Sequence, residues 1–248
     1  MTGDASDYTN TLSGHRVLLT GAAGGIGAAT TRFLTTAGCR VAGVSRSHER
    51  LEELVATLAD PGLLEPIVMD LAEPGAPGSC VERAVGRLGG LDVLVNNAGV
   101  AVEASIAETD EALWQTHMHL NATVPFLLTR AALPHLQQSD RATVVNIGSV
   151  VSYKGYRGQG AYAASKHALY GLTKVLAREV HEQGIRVHFL APGGVATDMI
   201  ADLRPDIPRE ALAEPEEIAD IILFLLTRRG NAVVDEVAIR RSVSEPWR

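Results

Sequence analysis

Tyr162 and Lys166 stand four residues apart in the stretch GAYAASKHALYGLTKVLAREVHEQG, 160–184, where Leu169, Leu172, Val175, Leu176 and Val180 recur at the spacing of an amphipathic helix. At that spacing a phenol and an ammonium share one helical face near its N-terminal end. An unperturbed tyrosine titrates near 10 and is a poor base at neutral pH, but an adjacent ammonium stabilises the phenolate and lowers that value. Such a tyrosine can give a proton to a carbonyl oxygen that is gaining charge, or take one back in the reverse direction. Taken alone the pair is a weak signal, because amphipathic side chains on a solvated face share the spacing. Two further polar residues invite a chemical reading. Ser149 lies 13 residues before Tyr162, just past the strand-like run ATVVNI, where its hydroxyl would steady the same developing oxyanion. Asn121 falls in the middle of a helical segment, about 110–137, where its propensity is unfavourable, which points to a task.

The elements that must position these groups begin with Arg16–Thr20, RVLLT, an apolar run suited to a strand buried on both faces. Thr20-Gly21-Ala22-Ala23-Gly24-Gly25-Ile26-Gly27 follows directly, then a helix ending at Gly38 and a second strand, Cys39–Ser45. Strand, glycines, helix and strand in sequence form a βαβ unit and a dinucleotide site: Gly21 permits the tight turn, Gly25 a close backbone approach to a pyrophosphate, and Gly27 tight packing of helix on strand. The helix N-terminus at Ile26 presents free N–H groups to phosphate. An acidic residue closing the second strand would favour NAD(H), but this chain has Ser45 and then Arg46, whose guanidinium can clamp a 2′-phosphate. NADP(H) is therefore favoured, with NAD(H) possible; the bland reading has Arg46 topping a surface helix and pairing with Glu49 or solvent.

Further along, a helix is expected over Glu49–Ala59, a strand over Glu65–Met69 running into Asp70-Leu71, a helix over Val81–Leu88, and the strand LDVLVNN, which ends in Asn96-Asn97-Ala98-Gly99. The amides can bridge neighbouring strand ends while Ala98 and Gly99 leave room for a ribose. Pro125 frees a carbonyl near Asn121 and kinks that helix. His117 and His119 read as buried or interface residues, since no carboxylate or cysteine set accompanies them and no metal site is expected. Ala142–Ile147 makes a fifth strand, Ile185–Leu190 a sixth and AVVDEVAIR the last, with a final helix over Pro215–Leu226. Strands alternating with helices predict one α/β domain: a Rossmann-type, doubly wound, parallel seven-stranded sheet with helices on both faces. The polar residues 1–13 are expected to form a flexible tail and 14–248 the domain.

The set T-G-x-x-x-G-x-G at Thr20–Gly27, N-N-A-G at Asn96–Gly99, Ser149, and Y-x-x-x-K at Tyr162 and Lys166, in that order, resembles the short-chain dehydrogenase/reductase family from about Arg16 to Glu236. The resemblance implies Asn121, Ser149, Tyr162 and Lys166 as the catalytic group. In it Ser149 rather than its neighbour Ser152 polarises the carbonyl, Lys166 also holds the coenzyme ribose, and Asn121 holds a proton-relay water. It further implies that Asp70 and Leu71 face the adenine, that Asn97 and its neighbours face the adenosine ribose, and that Pro192, Gly193, Val195 and Thr197 hold the nicotinamide carboxamide. A substrate-covering loop would span about 198–212, broken by Pro205 and Pro208. Val151, Tyr156 and Met199, with Ser149 and Tyr162, would line the substrate pocket. The implied activity is hydride transfer between a nicotinamide coenzyme and a carbonyl or secondary alcohol, in a homotetramer or homodimer. A coenzyme-binding regulator without turnover, or an isomerase-type member, is the alternative. One departure stands out: many members end near V-D-G-G, whereas this chain reads VVDEVAIRRSVSEPW.

Composition narrows the rest. The chain of 248 residues is 46% hydrophobic and 21% charged, and its net charge of -7 argues against nucleic acid or an anionic membrane surface as partner. Cys39 and Cys80 lack any disulfide or metal spacing and read as buried filler. With no signal-like N-terminus and no apolar run long enough to span a bilayer, a cytoplasmic protein acting on a small-molecule substrate is expected.

Overall fold

The computed structural model describes residues 12–246. Residues 1–11, which carry most of the expected tail, lie outside that range. Leu12 is fully buried in the core and its carbonyl accepts the Cys39 thiol, so the folded unit starts before the expected boundary at 14.

The strands β1 (Arg16–Thr20), β2 (Arg40–Ser45), β3 (Leu64–Val68), β4 (Val93–Asn96), β5 (Thr143–Ile147), β6 (Arg186–Pro192) and β7 (Glu236–Ile239) form one sheet. Their order is β3-β2-β1-β4-β5-β6-β7 and every pairing is parallel. The chain winds outward from β1 to β3, then restarts at β4 on the other side of β1, which opens a crevice at the C-terminal ends of those two strands.

Helices follow as α1 (Gly25–Thr36), α2 (His48–Ala56), α3 (Ala76–Leu88), α4 (Glu111–Met118), α5 (Val124–Leu136), α6 (Gly160–Val180), α7 (Asp198–Leu203) and α8 (Pro215–Thr227). Because successive strand side chains point to opposite faces, β1 sends Val17 and Leu19 into one core and Leu18 into the other. The first core is closed by α1 and α8 through Leu34, Ile218 and Ile222, the second by α3, α5 and α6 through Val81, Leu128 and Leu176. At the end of the sheet away from the crevice, Asp92 accepts from Arg16 Nε (2.9 Å), Arg16 Nη2 (2.7 Å) and the Ser139 hydroxyl (2.7 Å), tying β1 to β4. Burial pushes the Asp92 carboxyl up, but these hydrogen bonds outweigh it and hold it at about 2.

Three expectations change. The single helix over about 110–137 is α4 and α5 joined by a π-helical turn, His119–Thr123, in which the Val124 N–H reaches back to the His119 carbonyl. Pro125 has no N–H to offer the Asn121 carbonyl, so the regular ladder cannot run through this point. Helix α3 starts at Ala76 rather than Val81, because Pro77 fits a first helical turn where its missing N–H costs nothing. Strand β7 is short and half-exposed, confined to Glu236–Ile239.

Candidate active site

A cleft of about 1460 Å³ runs across the C-terminal ends of the strands. Helix α6 starts at its edge, so Tyr162 on the first turn and Lys166 on the next both face it, at 9% and 5% exposure. The Lys166 Nζ donates to the Ile147 carbonyl at 2.9 Å and lies 5.9 Å from the centre of the Tyr162 ring. Ser149, directly after β5, hydrogen-bonds the Tyr162 hydroxyl and caps a short 3-10 turn, Val150–Ser152. The rival serine has another duty. Ser152 is 1% exposed and its hydroxyl accepts the Ser149 N–H at 3.2 Å, fixing the backbone that presents Ser149.

Burial dominates the titration of this pair. It pushes the Tyr162 phenol up, against the smaller opposing pull of the Ser149 hydrogen bond, and draws the Lys166 ammonium down to about 8. In the protein alone the phenol is thus not lowered as the Tyr-Lys spacing suggests, since both groups have left water and each disfavours its charged form.

Asn121 is fully buried behind the cleft, not on its wall. Its Oδ1 accepts the Val100 N–H at 2.8 Å, and its Nδ2 donates to the Val100 carbonyl at 2.9 Å and to the Ser165 hydroxyl at 3.0 Å. The amide therefore staples the loop after β4 to α6, one residue from Lys166. His117, also fully buried, donates from Nδ1 to the Leu113 carbonyl (2.9 Å) and accepts the Val102 N–H at Nε2 (3.1 Å), with its ring 6.3 Å from that of Tyr162, edge-on. His119 bonds the Ala72 carbonyl at 3.1 Å. Among the described residues no group of three His, Cys, Asp or Glu side chains could hold a metal.

The other half of the cleft is built of backbone. Helix α1 has Gly24 at its N-cap, with no side-chain cap and no acidic residue in its first turn, leaving a positive helix end facing the space lined by Gly21, Gly25 and Ile26. Gly21 and Gly25 have φ of +65° and +38°, a region that penalises any Cβ. Gly27 does not line the cleft; a Cβ there would fall 2.0 Å from the Gly21 carbonyl oxygen, so it closes the turn from below. The Thr20 hydroxyl accepts the N–H groups of Asn97 and Ala98, both at 3.0 Å, and Asn97 Nδ2 donates to the Thr20 carbonyl at 2.9 Å. Ala98 and Gly99 then form wall, and a side chain at Gly99 would meet Asn121 Oδ1 at 2.8 Å.

Ser45, Arg46, Asp70 and Leu71 line the far end. The Ser45 hydroxyl accepts the Ser47 N–H at 3.2 Å, and Asp70 accepts the Ala72 N–H at 2.9 Å, so each also shapes its own turn. Arg46 is exposed and makes no ion pair among the described residues, with Glu49 or otherwise. Pro192, Gly193, Val195 and Thr197 line the opposite rim with Val151, Tyr156 and Met199, and Thr197 caps α7. Four arginines of the cleft wall escaped sequence reasoning: Arg50, which pairs with Asp198 at 3.1 Å, Arg204, Arg240 and Arg241.

A family model described as short chain dehydrogenase matches residues 15–208. The chain belongs to the short-chain dehydrogenase/reductase family. It is 35% identical over 236 residues, 91% of this chain and 96% of the relative, to the 3-oxoacyl-[acyl-carrier-protein] reductase FabG of Thermotoga maritima. Among solved structures it resembles an alcohol dehydrogenase from the archaeon Thermococcus sibiricus complexed with 5-hydroxy-NADP, with a TM-score of 0.84 and 26% identity over 93% of this chain and 97% of that one. It also resembles a metagenomic short-chain oxidoreductase in complex with NADP, with a TM-score of 0.79 and 31% identity over 94% of this chain and 100% of the other.

Proposed function

We propose that the protein is an NADP(H)-dependent reductase that interconverts a carbonyl and a secondary alcohol, with Tyr162 as the acid and base. The observation that carries this reading is the meeting of Ser149, Tyr162 and Lys166 at one edge of a dinucleotide-shaped cleft, with Ser149 bonded to the phenol and Lys166 beneath its ring. The uncapped end of α1, the glycine cradle and the unpaired Arg46 fit the phosphates of NADP(H), and two solved structures that the chain resembles hold coenzymes of that type. NADPH, when bound, supplies the hydride. Tyr162 gives its proton to the carbonyl oxygen, Ser149 donates a hydrogen bond to the same oxygen, and Lys166 steadies the phenolate left behind. Asn121 holds α6 and the loop at Val100 in register for this, as a positioning residue. The protein assembles through the helices flanking Asn121 and Tyr162, where Trp114, Phe126 and Val175 stand exposed on α4, α5 and α6.

The test is a panel of ketones and aldehydes incubated with NADPH carrying deuterium at C4, and in parallel with NADH. NADPH-dependent formation of alcohol with the label on the carbinol carbon supports the proposal. Coenzyme binding without turnover of any carbonyl would contradict it and favour a regulator.

A further inference from the structure

Beyond β7 the chain turns back over the cleft, and this is where the sequence departs from the common ending of its family. The turn is well tied down. The Gly193 N–H donates to the Ile239 carbonyl at 2.7 Å, and the Arg240 guanidinium donates to the carbonyls of Arg241 (3.1 Å), Ser242 (3.1 Å) and Ser244 (2.9 Å). The Ser244 N–H closes the turn on the Arg241 carbonyl at 2.9 Å. Arg240 is thus used up in shaping the turn, and Arg241 is the side chain the turn presents. Its stem lies along Gly194, where a Cβ would come within 3.2 Å of Arg241 Cδ, so the glycine makes room for it. The head of Arg241 lines the same cleft as Ser149 and Tyr162, is half-buried, and makes no hydrogen bond or ion pair among the described residues.

A guanidinium brought partly out of water without a partner costs stability, which is sensible where a ligand completes the pair. The neighbouring charges do not complete it. Asp206 lies near Arg241, but both its oxygens are taken by Arg204 at 2.7 Å, and Glu245, which lines the same cleft, makes no ion pair with Arg241 among the described residues. The cleft wall also carries the apolar side chains of Val100, Val151, Leu203 and Ile207. A substrate in this cleft therefore meets a proton donor at Tyr162, apolar side chains on the wall, and at the C-terminal turn a guanidinium, that of Arg241, whose N–H groups have no partner among the described residues.

Building on the reductase reading above, we infer that Arg241 is a substrate-binding residue that pairs with a carboxylate on the substrate, so that the preferred substrates are oxo acids. Of the two guanidiniums on the turn, that of Arg240 is engaged by the turn's own carbonyls, which leaves the Arg241 fork to match one carboxylate.

The experiment compares a chain-length series of oxo acids with their methyl esters as substrates with NADPH, in the wild type and in Arg241→Gln and Arg241→Lys. One member of the acid series is expected to surpass its ester in kcat/KM. Arg241→Gln should then lower kcat/KM for that acid by roughly 10- to 100-fold, mainly through KM, the scale of a charge-assisted bond. The ester should change less than about twofold, the ordinary scatter of a surface substitution, and Arg241→Lys should recover part of the loss. Wild type that reduces esters as well as acids, or an Arg241→Gln variant that loses both equally, overturns the role of Arg241 and leaves the reductase reading standing. Turnover of neither series, nor of any neutral carbonyl compound, overturns both.

Discussion

Lys166 illustrates how far a single residue can be held from its preferred state. It is all but fully buried, its ammonium pulled down to about 8 by loss of water, and it donates its hydrogen bond to the neutral Ile147 carbonyl. The folded chain therefore binds this proton less tightly than the unfolded chain. The resulting cost is fully present below about 8 and fades as pH rises toward the ordinary lysine value. Lys166→Met, similar in size and uncharged, should therefore raise stability by about 1–2 kcal/mol at neutral pH, a gain of about 2–6 °C in Tm, while carbonyl reduction falls by a factor of about 100 or more. Calorimetry and steady-state kinetics on the same preparation check it; a variant that is both less stable and fully active would contradict it. Tyrosine and lysine were legible as a pair because helix geometry alone brings positions i and i+4 together. The rise of the phenol was not, since the depth at which α6 buries its first turn is settled by β5 and the loop after β4 rather than by the helix's own sequence.

At the scale of elements, the junction of α4 and α5 deserves the most weight. An asparagine unfavourable in a helix and a proline four residues on marked the break in the sequence, but not its form. The form follows from the partners. Val100 offers both its N–H and its carbonyl to the Asn121 amide, and a π-helical turn places that side chain at the right depth. Asn121→Ala leaves the Val100 groups and the Ser165 hydroxyl without their partner in a buried setting, and should cost about 2–4 kcal/mol in urea unfolding. A loss below about 0.5 kcal/mol, the range of an ordinary surface change, would show the staple to be unimportant. The strands and long helices were readable because burial on two faces or on one stripe writes a period into the chain. Arg50, Arg204, Arg240 and Arg241 were not recognised as cleft residues, because they come from α2, the loop after α7 and the C-terminal turn, and no periodicity says that these three segments meet one space. Arg50 and Asp198 touch across it only once β2 and β6 lie in the same sheet.

For the molecule as a whole, two cores on either side of one sheet hold everything in place, and buried histidines make that arrangement sensitive to acid. His188 is 2% exposed, with Nδ1 on the Val234 carbonyl and Nε2 without a hydrogen-bond partner among the described residues, and burial lowers its affinity for a proton. His15 is lowered likewise, by burial first and then by the Arg141 guanidinium. Protonation thus favours the unfolded chain: stability should be level above the ordinary histidine value and fall as pH drops below about 6.5. Unfolding free energies from urea titrations between about pH 8 and about pH 5.5 should decline by about 1 kcal/mol or more, before ordinary carboxylates titrate; a flat or rising free energy would contradict the account. The doubly wound sheet was predictable from alternation of strand and helix, and its service to chemistry is that the glycine turn and, more than a hundred residues further on, Ser149 and Tyr162 share one crevice. Tyr162→Phe tests that convergence most directly, with NADPH binding followed by fluorescence and ketone reduction followed on the same sample. NADPH affinity should stay within about twofold while turnover drops by roughly 100- to 10,000-fold, the span expected when a proton donor is removed; turnover within about tenfold of wild type, less than that span, would contradict the assignment.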